Sequence, residues 1–223
     1  MAHVSNSVKV DIWSDIACPW CYIGKRRFET AAADFAAAGG ELEVEYHSFE
    51  LSPDTPVDFD GSEVDFLVSH KNLAPEQVEQ MLTQMTQLAT TEGLSYDFEA
   101  LQHTNTVRAH ELLHFAKAKG RQLDLVERLF AAYFEEGRHI GRVDDLADLA
   151  AEIGLDRAEA VEALTSQTHL PDVSADKDQA VAYGISGVPF FVIDGRLGVS
   201  GAQDPTVFAE VLREAAGLTA ATS

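Results

Sequence analysis

Strand-like alternation is confined to the two ends of this chain, and the long stretch between them is patterned for helices. Near the start, "VKVDIWSD" (8–15) places Val8, Val10 and Ile12 on one phase, and "ELEVEYHSFEL" (41–51) does the same with Leu42, Val44 and Tyr46. Between them a helix is expected over about 18–38, with Pro19 in its first turn and Gly39-Gly40 as its stop. Strand, helix and strand of these lengths predict a parallel pair with a right-handed crossover. Near the end, "GVPFFVIDGRLGVSG" predicts two short strands, 190–193 and 196–200. They flank Asp194-Gly195, a dipeptide suited to a type I′ hairpin. A closing helix follows, with Asp204 as N-cap and Pro205 as its first residue, and the tail after Gly217 is expected to fray.

From about Ser62 to Tyr183 the pattern is helical and punctuated by glycine, with Asn105 and Asp156 as candidate N-caps and a last long helix near 171–183. No strand is expected in that block to pair with the terminal ones. The two ends must therefore pair with each other, as a four-stranded α/β sheet with the helical block inserted. The expected domains are 1–60 plus 172–223 for the α/β part and 61–171 for the insertion. With 46% hydrophobic residues in 223, a large core can form without staples.

Charge narrows the partners. There are 37 acidic residues against 16 basic ones, a formal charge of −21. That field repels phosphate backbones and anionic lipid, so neither nucleic acid nor a membrane surface is expected as a partner. No secretory leader or membrane-length apolar run is recognised, and a cytoplasmic location is expected.

The chain has two cysteines, Cys18 and Cys21, and they are three positions apart. Three readings apply. Two buried, inert thiols are the plain one, but Cys18 falls where a strand ends and a helix begins, an edge where ligands tend to bind. A zinc half-site needs two more ligands, and His110 and His114, spaced i, i+4 on another element, are weak candidates. A redox dithiol accounts for the placement best. Free N–H groups and the positive end of the helix dipole favour thiolate at Cys18. Cys21, one turn in, can attack a mixed disulfide there. Cys18 is therefore expected to be the more exposed and more acidic thiol, and no structural metal or dissociable cofactor is expected.

"ACPWCYIG" after a strand, a long helical insertion, "GISGVPFFV" and "SGAQ" together resemble the DsbA-like thioredoxin-fold family. "NTVRAHELL" (105–113) resembles the FrnE-like branch of it. The resemblance covers roughly 8–217. It implies a thioredoxin-like fold (βαβ … ββα) with a large all-helical insertion, and a thiol–disulfide oxidoreductase acting on protein or small-molecule thiols and disulfides, with glutathione among the candidate substrates. Cys18 would be the nucleophile and Cys21 the resolving thiol, with Pro19 and Trp20 tuning the redox poise. Val188 and Pro189 would form a cis-proline loop facing the pair and docking substrate. Asn105, His110 and Gln203 would border the site. Without the resemblance, His110 reads as a surface helical histidine and Trp13 as core. Trp20 reads as partly exposed, and "SGAQDP" as a helix start capped by its own Asp. Trp20 stands where oxidising members carry His, and the second cysteine pair of some FrnE-like proteins is absent. Relatives of the kappa-class glutathione transferase and hydroxychromene-carboxylate isomerase type have Ser in place of the first cysteine. A glutathione-dependent enzyme of that type is the alternative activity, and a non-enzymatic binding module is the third.

Overall fold

The computed structural model describes residues 7–217. The tail expected to fray lies outside them.

The terminal strands do pair across the helical block. Strand β1 (Ser7–Ser14) runs into helix α1 (Pro19–Ala37), which returns to β2 (Glu41–Ser48). β1 and β2 are parallel, with Val10 opposite Val44. β3 (Phe190–Ile193) lies antiparallel to β1 on its other side, Ile12 facing Phe191, and β4 (Leu197–Ser200) completes the order β2-β1-β3-β4. The β3–β4 turn has φ 53° at Asp194 and 66° at Gly195. Positive φ at both central residues is what a type I′ hairpin requires. Helix α9 (Pro205–Ala215) packs on α1 and closes this thioredoxin-like unit.

Between β2 and β3 run α2 (Glu63–Lys71), α3 (Pro75–Thr91), α4 (Val107–Ala118), α5 (Gln122–Phe134), α6 (Val143–Glu152), α7 (Arg157–Thr165) and α8 (Leu170–Ala182). Local chemistry sets their starts. Ser62 and Asp65 form a reciprocal capping box at α2, and the Asp156 carboxylate accepts the Glu159 N–H at α7. At α4 the assigned cap is Thr106, one residue beyond the expected Asn105. The Asn105 side chain still accepts the Val107 N–H at 2.9 Å, while its own amide donates to Pro53. One buried apolar cluster joins the sheet (Val10, Phe191) to α9 (Phe208) and to the inserted helices (Phe130, Leu146). Trp13 is fully buried on the opposite sheet face, against Ala180 and Ile185.

Candidate active site

The site forms where β1 leaves the sheet. Asp15 turns the chain: its carbonyl accepts the Cys18 N–H, and its carboxylate accepts the backbone N–H groups of Leu51 and Ala17. Cys18 then sits at the N-cap of α1 in extended backbone, with Pro19 as the first helical residue. The missing N–H of Pro19 is not needed there. Cys21 donates its N–H to the Cys18 carbonyl, and the two cysteines lie 3.4 Å apart. Both are free thiols.

Both thiols are buried, Cys18 at 4% and Cys21 at 2% exposure. The contrast in exposure expected between them is thus very small. The chain before Cys18 and the loop before β3 close over the helix end more tightly than a bare helix start would allow. The environments still differ. Burial, and then the neighbouring Cys18, push the Cys21 thiol well up, against a smaller opposing effect of the Ser14 hydroxyl and the Asp15 backbone. At Cys18 the side chain makes no cap bond to the helix, and the first turn of α1 carries no acidic residue. The Cys18 thiol donates to the Val188 carbonyl at 3.6 Å, across a Val188–Pro189 bond that is cis.

Residues the sequence did not single out complete the setting. The Tyr96 hydroxyl donates to the Pro19 carbonyl at 2.7 Å, fixing the first turn of α1. A Cβ on Gly24 would stand 2.9 Å from Pro189 Cγ, so glycine lets α1 approach the proline loop. Asp15 is buried. Burial pushes its carboxyl up, but His110, the Leu51 N–H and Thr106 outweigh that and hold it below the ordinary range. His110 is a correction: it is 1% exposed rather than a surface residue, because its face of α4 packs onto the β1–α1 turn. Its Nε2 is 3.4 Å from Asp15 Oδ1, outside hydrogen-bond geometry, and both its ring nitrogens are without a partner. Asn105 stands one residue ahead of α4, tied to Pro53. Gln203 is exposed and bonds back to the Ser200 carbonyl, and the Asp204 side chain accepts the Thr206 N–H as the cap of α9. Trp20 is 43% exposed beside the thiols.

Of the two histidines weighed as zinc ligands, His110 has both ring nitrogens without a partner. His114 is engaged by Ser48 and Asp176. Among the described residues, the group of side chains within metal-ligating reach of one another is Asp11, Glu45 and His47, which includes neither cysteine. That group is already held by cations, Lys9 on both carboxylates and Lys117 on Glu45.

A cleft of about 240 Å³ opens beside Cys18, between the α1 start and helices α2 and α3. Cys18, Pro19 and Trp20 form one wall and Phe66, Met81 and Met85 the other.

The sequence profile of the DSBA-like thioredoxin domain matches residues 9–213. The chain is 31% identical over 211 residues to the uncharacterised protein YwbO of Bacillus subtilis (strain 168), covering 93% of this chain and 97% of that one. The crystal structure of a probable DsbA oxidoreductase from Streptomyces coelicolor is 37% identical with a TM-score of 0.87, over 97% of this chain and 93% of the other. The cytosolic disulfide reductase DsbM of Pseudomonas aeruginosa, solved with GSH, shares the fold at 18% identity and a TM-score of 0.65, over 92% of this chain and 98% of that chain.

Proposed function

The chain belongs to the DSBA-like thioredoxin domain family, and we propose that Cys18 and Cys21 cycle between dithiol and disulfide through mixed disulfides with a thiol substrate. The observation that carries this is the placement of Cys18. It follows the turn that leaves β1, caps a helix with no acid in its first turn, and lies 3.4 Å from a second cysteine. The positive end of the helix dipole favours an anion at that position, and the anion on offer is the Cys18 thiolate.

The roles follow from the two environments. Cys18 attacks a substrate disulfide, one substrate thiol leaves, and a mixed disulfide remains on Cys18. Cys21, held protonated by burial, gives up its proton as it attacks the Cys18 sulfur. The Cys18–Cys21 bond forms and the second substrate thiol departs. Two electrons pass from the protein to the substrate, and the reverse sequence oxidises a dithiol. Val188 supplies a backbone carbonyl next to the reacting sulfur, Pro189 packs against α1 at Gly24, and Pro19 and Trp20 shape the approach. His110 lies against Asp15 in the β1–α1 turn, and Asn105 ties the start of α4 to Pro53. We place the protein in the FrnE-like branch and in the cytoplasm. No helix among the described residues is long and apolar enough to cross a membrane.

Trapping tests the assignment. Cys21→Ser should accumulate a mixed disulfide with a model substrate, and Cys18→Ser should not. Trapping by Cys18→Ser instead would reverse the roles, and a dithiol that never oxidises would remove the activity.

A further inference from the structure

We propose that the cleft beside Cys18 binds low-molecular-weight disulfides, and the thiols they yield, that carry a neutral aromatic arm with a hydroxyl group. The proposal rests on the oxidoreductase reading above and names the substrate class of that same site.

Three observations point to it. Size is the first. The cleft holds about 240 Å³. An apolar cavity of roughly 150 Å³ accepts benzene, and drug-sized ligands occupy about 300–1,000 Å³. The space therefore suits a single ring on a short tether. Cys18 lines the same space, so a ring seated there carries its tethered sulfur to the thiol.

Wall chemistry is the second. Phe66, Leu67, Met81, Leu82, Met85 and Phe98 form the apolar lining. Thioethers and ring edges make favourable contact with an aromatic guest. The two acidic groups lining the cleft, Asp15 and Glu63, are buried, and the chain carries a formal charge of −21. That field opposes anionic arms such as those of glutathione, although His70 and Lys71 stand at the same cleft.

The third is a polar atom without a partner. His103 lines the cleft and is 95% buried, with 5% exposure. Its Nδ1 is 2.8 Å from the Glu63 carboxylate, while its Nε2 is buried with no hydrogen-bond partner. A carboxylate only accepts, so Nδ1 carries the proton. A hydroxyl serves Nε2 in either state, donating to a neutral ring or accepting from a charged one. Buried nitrogens are rarely left unpaired in folded proteins. A hydroxyl on the aromatic arm supplies the missing partner.

The exchange balances without any added agent. The Cys18 thiolate attacks one sulfur of the substrate disulfide, whose S–S bond breaks, and the departing thiolate takes up a proton. Cys21 loses its proton and attacks Cys18, and the second arm leaves as its thiol. One substrate disulfide is reduced and one protein dithiol oxidised.

The test is single-turnover oxidation of the fully reduced protein by a set of alkyl disulfides with similar sulfur chemistry. The arms are para-hydroxyphenethyl, phenethyl, hydroxyethyl and glutathione, each rate divided by that of free dithiothreitol with the same disulfide. The phenethyl arm should exceed hydroxyethyl and glutathione by about tenfold or more, the scale expected for burying a ring. Adding the para-hydroxyl should raise the rate further, and the sulfur-free alcohol of that arm should inhibit competitively. Met81→Trp, which fills the cleft, should abolish the preference while alkylation of Cys18 by iodoacetamide keeps its rate. If that variant does not fold, inhibition of the wild-type protein by the sulfur-free alcohol decides. Equal normalised rates for all arms, or a preference for glutathione, would overturn the pocket assignment and leave the oxidoreductase reading standing. A protein inert to every disulfide would defeat both.

Discussion

Cys18 and Cys21 sit one helical turn apart, yet their chemistry is set by different surroundings. Cys18 stands at the N-terminal end of α1 beside the Val188 carbonyl, whereas Cys21 is pushed up by burial and by its neighbour. At about pH 8 the single-cysteine protein Cys18→Ala should therefore alkylate at least about tenfold more slowly than Cys21→Ala, since each unit of thiol pKa changes the thiolate fraction about tenfold. Equal rates would show that burial does not separate the two. The pair itself was legible because its spacing and position carry the chemistry. Asp15 was not. In "SDIACPW" an aspartate reads as an ordinary turn residue, and its charge matters only because Leu51 and His110 converge on it. His110 was singled out, but its burial was hidden: the face of α4 that packs on the β1–α1 turn is a long-range property, invisible in a local pattern.

Among the elements, local signals served well wherever local chemistry decides. Alternation marked the strands, Asp194-Gly195 the hairpin, and Asp156 and Asp204 the starts of α7 and α9. Contacts between elements were not legible, and Gly24 is the clearest case. Nothing in "CYIGKRR" distinguishes it from a tolerated helix-interior glycine. The structure places Pro189 Cγ 2.9 Å, and Ala202 Cβ 3.4 Å, from where its Cβ would stand. Two effects oppose each other in Gly24→Ala. Helix propensity favours alanine by about 1 kcal/mol, and overpacking costs about 1–3 kcal/mol. The contact is with a ring held between α1 and the start of the α9 region, so overpacking should win. We expect a net loss of up to about 2 kcal/mol in urea unfolding, with disulfide exchange slowed because the Val188 carbonyl is displaced from Cys18. A variant more stable than the parent, as propensity alone dictates, would show that the contact is loose.

Across the whole molecule, one buried polar cluster ties the helical insertion to the sheet. Asp176, on α8, accepts from the Ser48 N–H at 2.7 Å and lies 2.8 Å from His47 Nδ1 and 2.9 Å from His114 Nε2, so it joins β2 and α4 to α8. His47 reaches Asp11 through its other nitrogen at 2.8 Å and stacks on Trp13 at 4.4 Å. A ring with a carboxylate on each nitrogen and an indole on its face is a site for imidazolium. Burial pushes the His47 pKa down, but Asp176 and Asp11 outweigh it and the net direction is up from 6.5. Burial pushes the Asp176 carboxyl up, but His114, His47 and the Ser48 N–H outweigh it and hold it well below 3.8. The signs then define a window. The His47 contribution is complete below its ordinary value and is lost as pH rises through the raised one. The Asp176 contribution is complete above its ordinary value and is lost as pH falls through the lowered one. Both are present together between about pH 4 and 6.5, the ordinary values of the two groups. The stability difference between wild type and His47→Gln should be largest in that window and shrink on both sides of it. Asp176→Asn should cost roughly 1–3 kcal/mol there, the scale of weakening hydrogen bonds to a charged group, because His47 keeps Asp11 on its other nitrogen. Urea unfolding of the three proteins across the acid and mildly alkaline range checks this. A difference between wild type and His47→Gln that does not vary with pH would mean that His47 is held neutral, and that no ion pair through His47 fastens the insertion.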